Sequence, residues 1–543
     1  MSVAPLPEGR LTLAHVWVAI GAFGLGAIMA VMQSLARADL PVAFSSPKVY
    51  YLSVTAHGVL MALVFTTFFI MALGYAFVRA ALGRLVGLGV AWFAFWLGVV
   101  GTAITTVAIL SGTSTVLYTF YPPLKAHPAF YIGATLLIVA SWIWCGIMIA
   151  SARSWKTEHP GRPLPLAVHG VLTTVIIWIL ATSGLAAEVL GMLIPWSLGW
   201  IERIDPVLAR MYFWWFGHPL TYFWLIPTYI VWYTVLPEVA GGRLFSDRLG
   251  RVVFVLFILF STPVGLHHQL TDPGVSAGWK MVHTFTTYAI LFPSMVTAFT
   301  IIASLETAGR MKGARGWLDW LGRLPWRDPL LVSVVLAMLT FALGGFGGAI
   351  NAAFAMNTMV HNTSWIMGHF HLTVGTAVTL TFMGTTYWLL PRLTRRPLRW
   401  RGLALWQAYL WFFGMMLFGG INHLTGLQGM PRRVYSASYQ GAEAALAWQG
   451  WTLWTALGGV VLFVSSAFFI AVVVRTAIGE VQVKEIPLRF ARALDGDPSR
   501  EGLWDRLLLW AIVAAILVAG AYSGPILHLL SLDRFGSLPF QPF

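Results

Sequence analysis

The chain has 543 residues, of which 58% are hydrophobic and only 10% are charged. A soluble domain carries about 25% charged residues, so no fold in water could bury this much apolar surface with so few charges. The single cysteine, Cys145, excludes a disulfide framework, a cysteine zinc site and an iron–sulfur cluster within the chain. The composition therefore predicts an integral membrane protein that crosses the bilayer many times.

Thirteen stretches are long and apolar enough to cross the ~30 Å hydrocarbon core as helices. They are Leu11–Leu35, Tyr50–Val78, Val86–Leu110, Ala129–Ala150, Leu166–Leu193, Pro206–Leu236, Val252–His268, Met281–Leu305, Leu330–Ile350, Trp365–Leu390, Leu403–His423, Gln449–Val474 and Leu507–Leu530. The sequence has no internal repeat at a fixed period and no soluble domain. We therefore predict one all-α transmembrane domain over residues 1–543.

The positions of lysine and arginine predict the orientation of these helices. With a cytoplasmic N-terminus, most of the 34 basic residues fall in cytoplasmic segments, as the positive-inside rule requires. The net charge of +14 then reflects topology and some contact with anionic membrane lipid. It does not indicate a nucleic-acid partner.

Six of the fourteen histidines fall at one predicted depth, in the outer half of the bilayer. They come from four different predicted helices: His57, His218, His267, His268, His369 and His371. Polar groups at membrane depth need partners and mark functional sites by default. Because purely structural roles would require six independent coincidences, we predict that these residues form metal sites.

The spacing of these histidines indicates more than one centre. His369 and His371 are two residues apart, which puts them on nearly opposite faces of one helix. His267 and His268 are adjacent at a predicted helix end, where both rings can reach one metal. His218 shares a helix face with a tyrosine four residues later. Imidazole suits iron and copper, and haem iron in particular takes axial histidine.

The remaining membrane histidines show no such convergence. A lone membrane histidine more often forms hydrogen bonds between helices than it ligates a metal. We predict that structural role for five residues: His15, His169, His283, His423 and His528. Glu188, an unpaired acid in apolar surroundings, is predicted to be a buried, protonated carboxyl group.

Four motifs carry a resemblance to a known family. They are Ala56-His57-Gly58, Gly217-His218-Pro219-Leu220-Thr221-Tyr222, Leu266-His267-His268-Gln269 and Gly368-His369-Phe370-His371. Together they resemble subunit I of the haem–copper oxidases, and the similarity covers essentially the whole chain. Two further stretches resemble the B-type, ba(3)-type cytochrome c oxidases: Tyr121-Pro122-Pro123-Leu124-Lys125 and Val360-His361-Asn362-Thr363.

The resemblance implies two haems. His57 and His371 would be the axial ligands of a low-spin haem that receives electrons. His369 would be the proximal ligand of a high-spin haem whose sixth position is open. The resemblance favours type b for the low-spin haem and type a for the high-spin haem, although the sequence itself does not distinguish the two types.

The resemblance also implies one copper ion, the CuB of the family. His218, His267 and His268 would hold it opposite the open iron position. Tyr222 would be the catalytic tyrosine that is covalently linked to His218 in the family. Such a centre would reduce O₂ to water with electrons from cytochrome c, coupled to proton uptake and pumping.

A line of hydroxyl groups leads from Tyr222 towards the cytoplasm. Its members are Tyr229, Tyr233, Ser294, Thr297 and Thr300. By spacing alone a proton path and simple helix packing are equally favoured, but these positions resemble the single proton channel of the B-type oxidases. Leu220 stands where A-type enzymes carry glutamate, so the acid of the A-type channel is absent.

Arg432 and Arg433 are the only adjacent basic pair on the predicted outer side. Bidentate pairing with haem propionates would explain them, and an exposed loop pair is the alternative. His361 and Asp272 lie at the same level and resemble residues near the propionates. The ba(3)-type pattern carries aspartate where this chain has Asn357, so a pumping role for that carboxylate has no counterpart here.

Two other functions compete with the oxidase. A nitric oxide reductase of the same superfamily would replace copper with non-haem iron, require an acidic ligand and lack the tyrosine. Tyr222 and the neutral Leu220 and Thr221 argue against it. A membrane transporter with a histidine proton relay would show repeats and broken helices, and it needs fewer than six imidazoles.

The chain cannot build a dicopper site with one cysteine. The resemblance therefore implies a subunit II that carries this site and receives electrons from cytochrome c, and it suggests a small single-helix subunit as a further partner. The residues of this chain leave a quinol donor open. We expect the protein in the cell (inner) membrane of a prokaryote.

Overall fold

The computed structural model describes residues 7–40, 46–481, 486–532 and 534–540. Within these ranges the chain forms a bundle of long helices, which confirms the predicted all-α membrane fold. We number thirteen of them: α1 (Pro7–Arg37), α2 (Pro47–Leu82), α3 (Leu88–Leu110), α4 (Pro128–Glu158), α5 (Leu166–Ser197), α6 (Pro206–Thr234), α7 (Asp247–Phe260), α8 (Ala277–Met311), α9 (Pro329–Ala352), α10 (Trp365–Thr394), α11 (Arg401–Leu427), α12 (Leu446–Ala477) and α13 (Leu507–Ser531). Eleven helices in the described part of the chain are long and apolar enough to cross a membrane.

The two numbered helices outside that group of eleven are α6 and α7. Helix α6 has 29 residues, but its polar and aromatic side chains lower its hydropathy, and α7 has only 14 residues. The sequence predicted that α7 continues to His268, and this boundary is wrong. Pro263 has no amide proton to donate, and its ring clashes with the preceding turn of an α-helix. The backbone becomes helical again only as a 3-10 turn, Gly265–Gln269.

Three of the thirteen numbered helices contain a π-helical turn. One turn, Leu60–Phe65 in α2, begins three residues after His57. Another, Thr373–Val378 in α10, begins two residues after His371. A π-helical turn often marks a functional site in a helix. The backbone is therefore irregular next to two of the converging histidines.

Helices α3 and α4 pack through glycine at very short range. A Cβ atom on Gly101 would lie 2.5 Å from the carbonyl oxygen of Gly133. A Cβ atom on Gly133 would in turn lie 2.5 Å from Oγ1 of Thr105. In a membrane, where lipid is as apolar as the helices, such close backbone packing is a main source of helix association.

A buried ion network joins α7 to the segment before α13. Nη1 of Arg251 donates to Oδ1 of Asp505 at 2.6 Å, and Nε donates to Oδ1 of Asp247 at 2.5 Å. The guanidinium also donates to the carbonyl oxygen of Leu164 at 2.9 Å. These three charged side chains are only 5 to 7% exposed, so each depends on the others for its counter-charge.

We expect Arg251→Ala to lower the free energy of unfolding by about 3–5 kcal/mol, because two buried carboxylates lose their partner. Titration with denaturant in detergent micelles measures this change. Arg310→Ala, which removes an exposed pair with Glu306, is the control and should cost about 0–1 kcal/mol. Equal costs for the two variants would contradict the role of the buried network.

Candidate metal centre

Three histidines meet where α6 faces the 3-10 turn. The donor nitrogen atoms of His218, His267 and His268 all lie within 4.8 Å of one another. The ring centroids of His218 and His267 are 4.4 Å apart, and those of His267 and His268 are 4.1 Å apart. Nε2 of His218 is buried and has no hydrogen-bond partner among the described residues. Three converging imidazoles, of which His267 is buried and the other two are partly buried, fit a copper ion.

Two aromatic side chains border this cluster. Tyr222 lies one helical turn beyond His218, with 5.4 Å between the ring centroids, and its side chain is buried. The indole of Trp214 stacks on His268 at 3.6 Å with the planes only 7° apart. Stacking restricts rotation of the His268 ring, while Tyr222 places a phenol beside the three imidazoles.

A second pair of histidines faces a cavity of about 200 Å³. His57 and His371 both line it, and their Nδ1 atoms donate to the carbonyl oxygens of Gly26 at 2.9 Å and Met367 at 2.8 Å. Because a carbonyl oxygen only accepts, each ring carries its proton on Nδ1 and keeps Nε2 free for a metal. The cavity is otherwise lined mainly by apolar side chains, which suits the flat face of a haem.

His369 has different neighbours from His371, although only one residue separates them. Its Nδ1 donates to the carbonyl oxygen of Gly344 in α9 at 2.7 Å. A Cβ atom on Gly348 would lie 3.0 Å from Cε1 of this ring. His371 instead packs against Phe418 of α11, with 4.8 Å between centroids. Helix α10 thus presents its two imidazoles to different sides.

Two adjacent guanidinium groups form part of the wall of the same cavity. Arg433 lies over the ring of Tyr118 at 5.1 Å, and its Nε and Nη2 atoms are buried without an acceptor in the described ranges. Nη2 of Arg432 donates to Oδ1 of Asn362 at 2.9 Å. Burial raises the pKa of Tyr118, but Arg433 and Arg432 outweigh it and lower that pKa below 10. Such unpaired guanidinium donors fit the carboxylates of a haem.

Asp272 already has partners within the protein. Nη2 of Arg210 lies 3.0 Å from Oδ1 of Asp272, and the amide of Gln269 donates to Oδ2 at 3.1 Å. Arg210 had no sequence signal, and Gln269 was predicted only as part of the Leu266-His267-His268-Gln269 motif, not as a partner of Asp272. His361 caps the short helix Phe354–Val360 and is partly buried. Burial, followed by the charge of Arg432, lowers its pKa below 6.5.

Two members of the predicted line of hydroxyl groups are directly hydrogen-bonded to each other. The hydroxyl of Tyr233 donates to Oγ1 of Thr297 at 3.1 Å, and Thr297 donates onward to the carbonyl oxygen of Pro293. Thr300 is buried and donates to the carbonyl oxygen of Val296 at 2.7 Å.

The other steps of the line have no direct hydrogen bond among the described residues. The hydroxyl of Tyr229 is buried without a partner there, and Ser294 is only partly buried. The ring of Phe257 lies 5.5 Å from that of Tyr222 and 5.3 Å from that of Tyr229. Proton transfer between these tyrosines would therefore have to pass through water.

Two further predicted features are buried polar groups. Glu188 is fully buried, and neither carboxylate oxygen has a hydrogen-bond partner among the described residues. The amide of Asn357 donates to the carbonyl oxygen of Asn351 at 2.7 Å. Asn357 therefore clamps the backbone between α9 and the short helix that follows it.

Comparison with known proteins assigns the chain and its fold to a family. The family model for cytochrome c and quinol oxidase polypeptide I matches residues 10–461. Cytochrome c oxidase subunit 1 of Thermus thermophilus is 43% identical over 496 residues, which are 90% of this chain and 87% of that protein. The chain belongs to the cytochrome c and quinol oxidase polypeptide I family.

Other members agree with this assignment. Cytochrome c oxidase subunit 1 of Thermostichus vulcanus is 26% identical over 430 residues, covering 76% of this chain and 74% of that protein. A cryo-EM structure of a haem–copper terminal oxidase dimer superposes with a TM-score of 0.93 at 34% identity, covering 98% of this chain and 95% of that chain. The predicted family is confirmed, and with it a multi-pass membrane protein that is the catalytic subunit of a haem–copper terminal oxidase. Haems, copper and a subunit II follow from the family.

Proposed function

We propose that the chain reduces O₂ to water, with electrons from cytochrome c, at a centre built by His218, His267, His268 and His369. The convergence of three imidazole donors within 4.8 Å carries this proposal. When bound, the copper held by the first three histidines and the high-spin haem iron held by His369 supply the O₂ site and its electrons.

Tyr222 is the catalytic residue that the chain itself adds to this centre. Its phenol is buried beside His218 and can give both a proton and an electron to the reaction. We include in this proposal the covalent link between Tyr222 and His218, which is a feature of the family.

The cavity between His57 and His371 is assigned to the low-spin haem. The Nδ1 bonds of both rings to backbone carbonyl groups support this, because they direct Nε2 towards the cavity. Arg432 and Arg433 would hold the propionates, since two buried guanidinium nitrogens of Arg433 have no acceptor among the described residues and require an anion, and Arg432 adds a second cation beside them. His361 and Asp272 are assigned to the same propionate end of the cavity, where Asp272 forms an ion pair with Arg210. Type b is proposed for this haem and type a for the high-spin haem.

Protons for the reaction enter along Tyr229, Tyr233, Ser294, Thr297 and Thr300, with water between the tyrosines. The bond between Tyr233 and Thr297 supports this path, since it aligns two hydroxyl groups of different helices. The family pattern and the basic residues further favour a cytoplasmic N-terminus in a prokaryotic inner membrane. Partners under this proposal are a dicopper subunit II, cytochrome c and a small single-helix subunit, with proton pumping that does not use Asn357.

The metal content of the subunit, purified away from its partners, tests the proposed centre. We expect two irons and one copper per chain, because six histidines provide ligands for two haems and one copper ion. Atomic emission spectroscopy measures both metals. Three irons without copper would move the assignment to nitric oxide reductase, and a folded preparation without metal would contradict both enzymes.

Tyr222→Phe should reduce O₂ turnover by at least about 100-fold, because the phenol proton is lost from the reacting centre. The haem content should stay at the wild-type level. Oxygen uptake and the optical spectrum measure the two quantities. Tyr75→Phe removes another buried hydroxyl without a partner, away from the centre, and serves as the control. Normal turnover in Tyr222→Phe would contradict the assigned role.

Thr297→Val keeps the shape of the side chain but removes the acceptor for Tyr233. We expect proton uptake to slow about tenfold, the effect of one hydrogen bond worth about 1.4 kcal/mol. Time-resolved absorbance with a pH indicator measures the rate. The control is Thr340→Val, which alters a buried threonine that bonds only within α9. Equal rates in the two variants would remove Thr297 from the path.

A further inference from the structure

The turn that carries two of the proposed copper ligands is held mainly by other segments of the chain. It is a 3-10 turn of five residues, Gly265–Gln269, and α7 ends before it at Phe260. The amide of Gly265 donates to the hydroxyl of Tyr522 in α13 at 2.9 Å. A Cβ atom on Gly265 would lie 2.1 Å from the carbonyl oxygen of Trp214, so only glycine fits here. The turn therefore depends on contacts from α6, α8 and α13.

His283 of α8 is the centre of these contacts. It is fully buried, and both ring nitrogens have backbone partners. Nδ1 accepts from the amide of Leu266 at 3.3 Å, and Nε2 donates to the carbonyl oxygen of Ala521 at 3.1 Å. An amide only donates and a carbonyl oxygen only accepts, so one neutral tautomer, with its proton on Nε2, satisfies both bonds. The ring thus ties α8, the turn and α13 together.

A second contact from α8 reaches His267 directly, through Thr287 and the backbone of the helix. The hydroxyl of Thr287 donates to the carbonyl oxygen of His283 at 2.6 Å, and the same hydroxyl lies 2.8 Å from Nδ1 of His267. A hydroxyl has a single proton, so once it is donated to His283 the oxygen accepts from Nδ1–H of His267. His267 then keeps Nε2 unprotonated, which is the form that binds a metal ion.

We propose that His283 is a positioning residue of the copper centre. Through the amide of Leu266 its ring sets where His267 lies. Thr287, whose hydroxyl is held by the backbone of the same helix, separately sets which nitrogen of His267 is free. The inference rests on the proposed copper site at His218, His267 and His268. It revises the sequence interpretation of His283 as a residue that only joins helices. Removing such an outer partner typically weakens metal binding about 10- to 100-fold.

Two amide variants separate the Leu266 bond from the Ala521 bond. In His283→Asn the side-chain oxygen can take the place of Nδ1 and still accept from Leu266. In His283→Gln the side-chain nitrogen can take the place of Nε2 and still donate to Ala521, but the acceptor for Leu266 is lost. His169→Gln is the matched control, since His169 is equally buried and its Nε2 lies 3.0 Å from a carbonyl oxygen, that of Trp504.

The experiment uses the purified holoenzyme with its other subunits. The readouts are the infrared stretch of carbon monoxide photolysed from the haem onto the adjacent copper, and the copper content per two irons after dialysis against a chelator. We expect His283→Gln to lose one copper per two irons and the copper–carbon monoxide band, with normal haem content. His283→Asn and His169→Gln should match the wild type.

Two results would overturn the proposal. One is a wild-type copper content and band in His283→Gln; the other is equal loss in His283→Asn and His283→Gln, which would indicate packing rather than the Leu266 bond. A wild-type enzyme without this band would instead overturn the copper site itself. That failure is distinguishable because it appears before any substitution is made.

Discussion

The proposed metal sites depend on the pairing of each imidazole with a backbone group. In the apolar interior of a membrane protein, a ring nitrogen that carries a proton must donate it nearby. His57, His369 and His371 donate from Nδ1 to the carbonyl oxygens of Gly26, Gly344 and Met367, at 2.7 to 2.9 Å. Each pairing selects the tautomer with a free Nε2 and also orients the ring. The helices thus prepare the ligands before any metal binds.

The rings of the proposed copper ligands are oriented by side chains rather than by backbone carbonyl groups. His267 cannot rely on a helix of its own, because Pro263 has ended α7, so its Nδ1 is paired with the hydroxyl of Thr287. His268 is held by stacking on Trp214. A short turn allows two adjacent rings to converge on one point, which a continuous α-helix does not, since its consecutive side chains diverge by about 100°. The break in α7 is therefore a condition for the three-histidine cluster.

The sequence predicted the fold and the converging histidines because both are periodic or local signals. Apolar length identified the helices, and residue spacing separated His369 from His371. The sequence could not predict the end of α7, because the apolar pattern continues through Pro263. It also could not reveal that Arg210 pairs with Asp272, or that His283 contacts Leu266, because these contacts depend on tertiary packing. His283 looked like any lone membrane histidine, and only the direction of its two hydrogen bonds shows what it holds.

The charged groups near the cavity are not all paired within the protein. Asp272 is already neutralised by Arg210, and Asn357 is a neutral amide bound to the carbonyl oxygen of Asn351. Neither can balance the buried guanidinium of Arg433, whose Nε and Nη2 have no acceptor in the described part of the chain. Burying a cation in this way is costly unless an anion arrives with the ligand. In the proposed assignment the carboxylate edge of the haem supplies this anion, so haem binding would also stabilise the fold around the cavity.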